Sequence, residues 1–305
     1  MSASSDNAAP PLRVLVTGAA GQVGRALLEA APAAGVTAVG FDRTTLDVTD
    51  FFAVRRAVKA HAPDVVINAS AYTAVDRAQT EVGEAFAVNR EGPRLLAAVC
   101  LGAGVPLVHV STDYVFDGTR EGPYTEDAIT APPSIYGMSK MAGEMAVREG
   151  LPGAHLIVRT AWVFSATGQN FVRTMLRLAR ERAVLRVVAD QHGSPTAADD
   201  LAAALLVMAR RLVADPSVSG TYHWAGAPPT TWHGLAEAVV AAARTHGPVA
   251  VHTVEPITTA DYPTPAPRPA NSVLATAKAE AVFGLTPPDW RSAVARVVAR
   301  LLAEG

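Results

Sequence analysis

The sequence predicts an α/β fold: a doubly wound parallel sheet with helices on both faces, followed by a smaller mixed α/β C-terminal lobe. Three observations predict it. From Leu12 onward, short β-branched runs alternate with longer Ala/Leu-rich segments of helical period, the sequence form of successive βαβ units. Runs such as Val14-Leu15-Val16 and Val65-Val66-Ile67 are apolar without alternation, as strands covered on both faces must be. The length of 305 residues, half of them hydrophobic, leaves room for one large domain or two coupled ones.

Taken in order, residues 1–11 are small and polar, without the basic start and apolar run of a signal peptide, and read as a flexible tail. Strands are expected at 13–17, 37–41, 64–69, 107–111 and 156–161, each opening or closing on Gly, Pro or Asp. Between them the helical period predicts helices at 24–34, 51–60, 82–103 and 136–149. Beyond Trp162 the regularity loosens. Helices remain readable at 170–181, 198–213, 232–245 and 290–303, separated by short strands and a Pro-rich stretch, 256–269. In the last of these, Val294, Val297, Val298 and Leu301 form one apolar face.

Composition excludes several classes. Lys and Arg number 26 against 28 Asp and Glu, so a net charge of −2 offers no electrostatic footprint for nucleic acid or an anionic membrane. No apolar run approaches the roughly 18–20 residues of a bilayer span. The single cysteine, Cys100, forms no internal disulfide or thiolate cluster and reads as a small buried hydrophobe. Only 18% of residues are charged and mean hydropathy is +0.20, the composition of a cytoplasmic enzyme.

Directly after the first strand, Thr17-Gly18-Ala19-Ala20-Gly21-Gln22-Val23-Gly24 spaces glycines at three-residue steps. Glycine permits a tight turn, lets the backbone approach a pyrophosphate and allows the following helix to pack on the strand, its N-terminus facing the anion. Asp42 ends the next strand, 24 residues after Gly18, where a carboxylate can accept from the adenosine ribose hydroxyls. A dinucleotide is therefore expected, NADPH or NADH. Asp42 repels a 2′-phosphate, whereas Arg43 either neutralises one or is a solvated charge. Asp47 either reaches the adenine amine or caps the following helix. Residues 12–162 are thus expected to bind the dinucleotide and 163–305 mainly to bind substrate, within one integrated unit.

Tyr136-Gly137-Met138-Ser139-Lys140 places a phenol and an ammonium four residues apart, on one helical face. An ammonium at roughly 4–6 Å favours the phenolate by about 3–4 kcal/mol before desolvation, so Lys140 is expected to bring Tyr136 towards the working pH. Upstream, Ser111-Thr112-Asp113 ends a strand, and Thr112 is placed to hydrogen-bond the same substrate oxygen. His109 reads as a satisfied core residue, and the histidines have no metal-ligand spacing.

With these motifs the chain resembles the extended short-chain dehydrogenase/reductase superfamily, whose fold is a Rossmann-type sheet with a C-terminal substrate lobe. The segments 21–24, 68–76 (Asn-Ala-Ser-Ala-Tyr-Thr-Ala-Val-Asp), 111–118, 159–162 (Arg-Thr-Ala-Trp), 190–196 and 262–269 together are similar to the dTDP-4-dehydrorhamnose reductase family, from about Arg13 to the C-terminal helix. The resemblance implies reduction of the C4 keto group of a dTDP-linked deoxysugar, the last step of dTDP-rhamnose synthesis, by a reduced nicotinamide. It implies Tyr136 as proton donor, Lys140 on the nicotinamide ribose and Thr112 completing the triad. It implies cofactor contacts at Gln22, Val23, Asp42, Asp47, Val48 and Ala69, Ser70, Ala71 and Tyr72, with Gly18, Gly21 and Gly24 forming the turn. Substrate contacts map to Thr112, Asp113 and Trp162, whose alternative is core packing. Asn170 and Arg268 are candidates for the nucleotide end, Arg268 alternatively being a charge that breaks up the Pro-rich loop. Partners would be the dTDP-sugar and a second copy of the chain. Where some members carry an acidic residue thought to bind Mg²⁺ between subunits, this chain has Ala26, so no metal is expected. Three other readings stay open: another dTDP-deoxysugar 4-ketoreductase, a non-catalytic dinucleotide-binding regulatory subunit, and dehydratase or epimerase chemistry on the same fold, for which Asp113 beside Thr112 would be an acid.

Overall fold

The computed structural model describes residues 11–303; residues 1–10 of the expected tail lie outside the described residues. The first half runs β1 (Leu12–Thr17), α1 (Gln22–Ala30), β2 (Val36–Phe41), α2 (Phe51–His61), β3 (Val65–Asn68), α3 (Val75–Ala78) and α4 (Val82–Phe86). A π-helical turn (Ala87–Glu91) leads into α5 (Gly92–Ala103), then β4 (Leu107–Thr112), α6 (Ile135–Gly150) and β5 (His155–Thr160). The rest comprises β6 (Val163–Phe164), α7 (Phe171–Glu181), β7 (Val184–Val188), β8 (His192–Gly193), β9 (Thr196–Ala197), α8 (Ala198–Ala214), β10 (Gly220–His223), β11 (Thr230–Thr231), α9 (Trp232–Arg244), β12 (Thr253–Ile257), α10 (Ala277–Phe283) and α11 (Trp290–Ala303).

Six strands form one parallel sheet in the order β2-β1-β3-β4-β5-β10. The alternation of a strand decides what each face meets. Val14 and Val16 pack with Leu27 of α1 and Leu201, Leu205 and Met208 of α8. Leu15, between them, packs with Val54 and Val58 of α2 and Leu96 and Cys100 of α5 on the other face. The chain leaves β1 in one direction to form β2 and returns on the other side to form β3. This reversal opens a crevice beyond the carboxyl ends of the strands, where ligands of doubly wound sheets bind.

The expected division at residue 162 does not follow these layers. Helix α8 covers the same sheet face as α1, and β10 extends the sheet in parallel register from Gly220 beside Leu156 to His223 beside Arg159. The apolar periodicity of 198–213 predicts a helix with one buried face; it carries no information about which core that face enters. The second lobe is built on α7, α9 and α11, whose Val172, Leu176, Leu235, Val239, Val294 and Val298 share a separate core. Beside it β7 pairs with β12, which carries Pro256 in a two-stranded sheet with no further ladder to feed. The helix expected over 82–103 is interrupted by the π turn, at which Asn89 is fully buried.

Candidate active site

The glycine turn occupies the crevice end of β1. Gly18 has φ +74°, and a Cβ there would stand 2.6 Å from the Ala69 backbone. A Cβ on Gly24 would stand 2.2 Å from the Gly18 carbonyl oxygen, so only glycine lets α1 close onto the turn. Helix α1 begins at Gln22 with no side-chain cap and no acidic residue in its first turn. Its first N–H groups therefore remain available to an anion, and the residues present fit a dinucleotide pyrophosphate. Asp42 stands at the end of β2, accepting from the Thr44 hydroxyl (2.6 Å) and N–H (2.9 Å) and from Thr45 Oγ1 (3.0 Å). These bonds, led by the Thr44 hydroxyl, hold its carboxyl down at about 2, so it is ionised. Arg43 beside it is exposed. Asp47 accepts from Thr49, and the cap of α2 is Asp50, which accepts from the Phe52 and Ala53 N–H groups; the capping alternative for Asp47 is thereby removed. The Val48 side chain is buried against α5.

Across the crevice, Ser134 caps α6 by accepting from the Gly137 N–H at 3.2 Å. A Cβ on Gly137 would stand 2.1 Å from the Tyr114 carbonyl oxygen, so glycine here lets the helix approach the end of β4. Tyr136 and Lys140 lie one turn apart on α6 and are both buried, as is Thr112. Burial pushes the Tyr136 phenol up to about 12; the Thr112 hydroxyl favours the phenolate, and the charge of Asp113 opposes it. The expectation that Lys140 brings Tyr136 towards working pH is corrected. Lys140 Nζ donates to the Val110 carbonyl at 2.8 Å, and desolvation governs both groups, bringing Lys140 itself down to about 8 against the pull of Glu144. Tyr136 thus keeps its proton, the state required of an acid.

Thr112 Oγ1 donates to Asp113 Oδ1 at 2.9 Å, while Asp113 Oδ2 is buried with no hydrogen-bond partner. Burial pushes the Asp113 carboxyl up to about 6, against the Ser272 and Thr112 hydroxyls. Behind this strand end, Glu144 is gripped by Arg159 through two bonds (2.9 and 2.7 Å), by Arg148 (2.6 Å) and by Ser111 (2.6 Å).

Asn89 was not among the residues expected at the site. Its Oδ1 accepts from the Tyr72 N–H (2.8 Å), and its Nδ2 donates to the Tyr72 carbonyl (3.0 Å) and Ser139 Oγ (2.9 Å). It therefore ties the segment after β3 to the helix bearing Tyr136 and Lys140. A Cβ on Gly143 would stand 2.0 Å from the Asn89 carbonyl oxygen, so glycine admits the π turn to this position. The available signal was an amide within an otherwise apolar helical stretch.

The remaining expected residues lie on the second lobe or its connections. Trp162 adopts φ +47°, and its ring stacks on Trp232 at 3.6 Å and 7° and abuts Gly193, where a Cβ would stand 2.3 Å from the ring. Asn170 caps α7 by accepting from the Arg173 N–H and donates to Gln22 Oε1 (3.0 Å), which brings it to the glycine turn. Arg268 forms an ion pair with Asp76 at 2.7 Å, anchoring the Pro-rich segment to α3. Ala26 is buried in the α1 core, and among the described residues no group of three or more His, Cys, Asp or Glu side chains is arranged to hold a metal. A surface depression of about 950 Å³, lined by Arg13, Phe51, Lys59 and Pro106 among others, lies at the amino ends of the strands and contains none of the expected site residues.

The family model for the RmlD substrate binding domain matches residues 12–303. The dTDP-4-dehydrorhamnose reductase of Burkholderia thailandensis is 46% identical over 300 residues, covering 96% of this chain and 100% of the relative. That of Sinorhizobium fredii is 44% identical over 299 residues, covering 96% and 99%. The crystal structure of dTDP-4-dehydrorhamnose reductase from Bacillus anthracis in complex with NADP superposes with a TM-score of 0.85 at 36% identity, covering 97% of this chain and 100% of that one. Similarity of this extent, over a chain whose glycine turn, buried Tyr136 and Lys140 and strand-end Thr112 converge on one crevice, means that the chain belongs to the dTDP-4-dehydrorhamnose reductase family.

Proposed function

We propose that this chain reduces the C4 keto group of dTDP-4-dehydro-L-rhamnose to give dTDP-L-rhamnose, with NADPH or NADH as reductant. The observation that carries the reading is the buried, protonated phenol of Tyr136 next to Thr112 at the crevice end of the sheet. The first-turn N–H groups of α1, from Gln22 to Gly24, would hold the pyrophosphate, Asp42 the adenosine ribose, the Ala69–Tyr72 backbone the middle of the cofactor, and Lys140 the nicotinamide ribose. When bound, the reduced nicotinamide supplies a hydride to the keto carbon. Tyr136 then gives its O–H proton to the oxygen on which negative charge develops, and the Thr112 hydroxyl, turned away from Asp113, donates a hydrogen bond to the same oxygen. Trp162, half-buried with its ring packed on Trp232 and against Gly193, offers the sugar its indole edge and N–H, and Arg268 stands as the cation for the substrate diphosphate once released from Asp76.

The test is loss of NADPH absorbance on mixing folded protein with dTDP-4-dehydrorhamnose. Absence of consumption, with NADPH binding intact, would support a dinucleotide-binding regulatory subunit instead. Two variants probe the recognition side. Gly193→Ala pushes a methyl into the Trp162 ring and is expected to raise KM for the dTDP-sugar about tenfold with a smaller change in kcat, as loss of uniform binding does. Arg43→Ala is expected to lower kcat/KM for NADPH relative to NADH; unchanged discrimination would assign Arg43 to the solvated surface.

A further inference from the structure

Asn68, His109 and Lys140 form a buried line from β3 through β4 to α6, none more than 2% exposed. The direction of each bond in it follows from one fixed donor. Asn68 Oδ1 receives the Ser70 backbone N–H at 3.0 Å and the Thr17 hydroxyl at 2.7 Å. A backbone N–H only donates, so that amide atom is the oxygen and the other is the NH₂. The NH₂ lies 3.0 Å from His109 Nδ1, which must therefore accept. Burial, with the charges of Lys140, Arg148 and His155, holds the imidazole far below its ordinary range, so the ring is neutral and its one proton sits on Nε2. That N–H faces Lys140 Nζ at 3.5 Å, and Nζ donates in turn to the Val110 carbonyl. An ammonium has three donors and no acceptor, so it meets the imidazole donor to donor. An amine has a lone pair that receives Nε2–H while still donating to Val110.

We propose that His109, locked by Asn68 as its Nε2–H tautomer, is a positioning residue that favours the amine form of Lys140 and so helps this lysine lose its charge within the working pH range. The meaning of this tautomer for turnover rests on the reductase reading. The surrounding charges leave His109 this role. Glu144, one turn along α6, favours the ammonium but is engaged by Arg159, Arg148 and Ser111. On the elements packed against α6, Asp76 is paired with Arg268, Arg77 with Glu81, and Arg90 and Arg94 with Glu91, while Glu84 is exposed. Tyr136 and Asp113 lie on the cleft side, the first holding its proton and the second hydrogen-bonded to Thr112.

The chain has only three lysines, Lys59, Lys140 and Lys278, so ¹³Cε-lysine labelling gives three resonances, assigned with Lys59→Arg and Lys278→Arg. Lys140 in the unliganded protein is expected to titrate near 8. His109→Met, of similar size and without the Nε2–H that opposes the ammonium, is expected to raise the proton affinity of Lys140 about tenfold, equivalent to one pKa unit. A titration in folded His109→Met that superposes on the wild type would overturn the proposal, because burial alone would then set the lysine. Histidine ¹⁵N shifts of the unmutated protein give a second readout that needs no variant: His109 Nδ1 is expected unprotonated, and a protonated Nδ1 would equally overturn it. Neither measurement involves the dTDP-sugar, so failure of the reductase assay and failure of this proposal are separate results.

Discussion

Tyr136→Phe is expected to lower kcat by at least about 10² while leaving NADPH affinity nearly unchanged, the scale of losing a positioned general acid. The substitution removes one oxygen from a side chain that otherwise keeps its edge contact with Tyr114, 5.6 Å between ring centroids, so the fold has little reason to respond. Because burial holds the phenol up at about 12, Tyr136 remains an acid throughout the neutral range and contributes no alkaline limb there. On the alkaline side of neutrality the site group that titrates is Lys140, brought down to about 8 by burial. If its ammonium form supports turnover, kcat/KM declines as pH rises through that value, and the free-enzyme pH profile reads it directly. A Tyr136→Phe enzyme turning over at the wild-type rate would move the proton donor elsewhere, with Asp113, held at about 6 by burial and with one oxygen unpartnered, the next group to test.

The second large effect concerns stability. Glu144→Leu is expected to destabilise the fold by about 3–5 kcal/mol, the cost of leaving a buried partner charge uncompensated. Arg159 is 2% exposed and has no solvent to turn to once the carboxylate is gone. The double variant Glu144→Leu/Arg159→Met, which removes both charges, is expected to recover a large part of the loss, since a matched apolar pair replaces a buried ion pair at little net cost. Urea midpoints of the three proteins at pH 7 measure this. Burial raises the Glu144 carboxyl, but the Arg159 bonds and the Ser111 hydroxyl outweigh it, so its folded value lies below the ordinary one. With a depressed folded value, the stabilisation is complete above the unfolded carboxyl range, about 4.3, and is lost as pH falls through the folded value. The wild type should therefore lose stability on acidification below that range, and the double variant should lose less.

The parallel sheet was legible because its strands are continuously apolar and its helices periodic, and both signals are local. The site was legible where chemistry is concentrated in short segments: the glycines at 18, 21 and 24, and the Tyr136–Lys140 pair. What stayed hidden was non-local. The apolar face of 198–213 fits either core, and only the three-dimensional path sends α8 to the first sheet and β10 to its edge. The protonation of Tyr136 was misjudged for the same reason: the spacing gives a shared helical face, whereas the Val110 carbonyl that receives Lys140 comes from another element. Asn89, Asn68 and His109 are single polar residues within apolar segments, and apart from Ser70 beside Asn68 the side-chain partners that define their roles are 17 to 51 residues away.

The π turn at Ala87–Glu91 is, in effect, an α-helix with one residue too many. At 3.6 residues per turn one inserted residue rotates everything after it by about 100°, so a single codon gained or lost in this stretch would exchange an outward-facing position for an inward-facing one. A buried amide bridging the cofactor side and the catalytic helix is thus reachable in one insertion, and a one-residue deletion in 87–91 should restore a regular helix while uncoupling the two halves of the crevice.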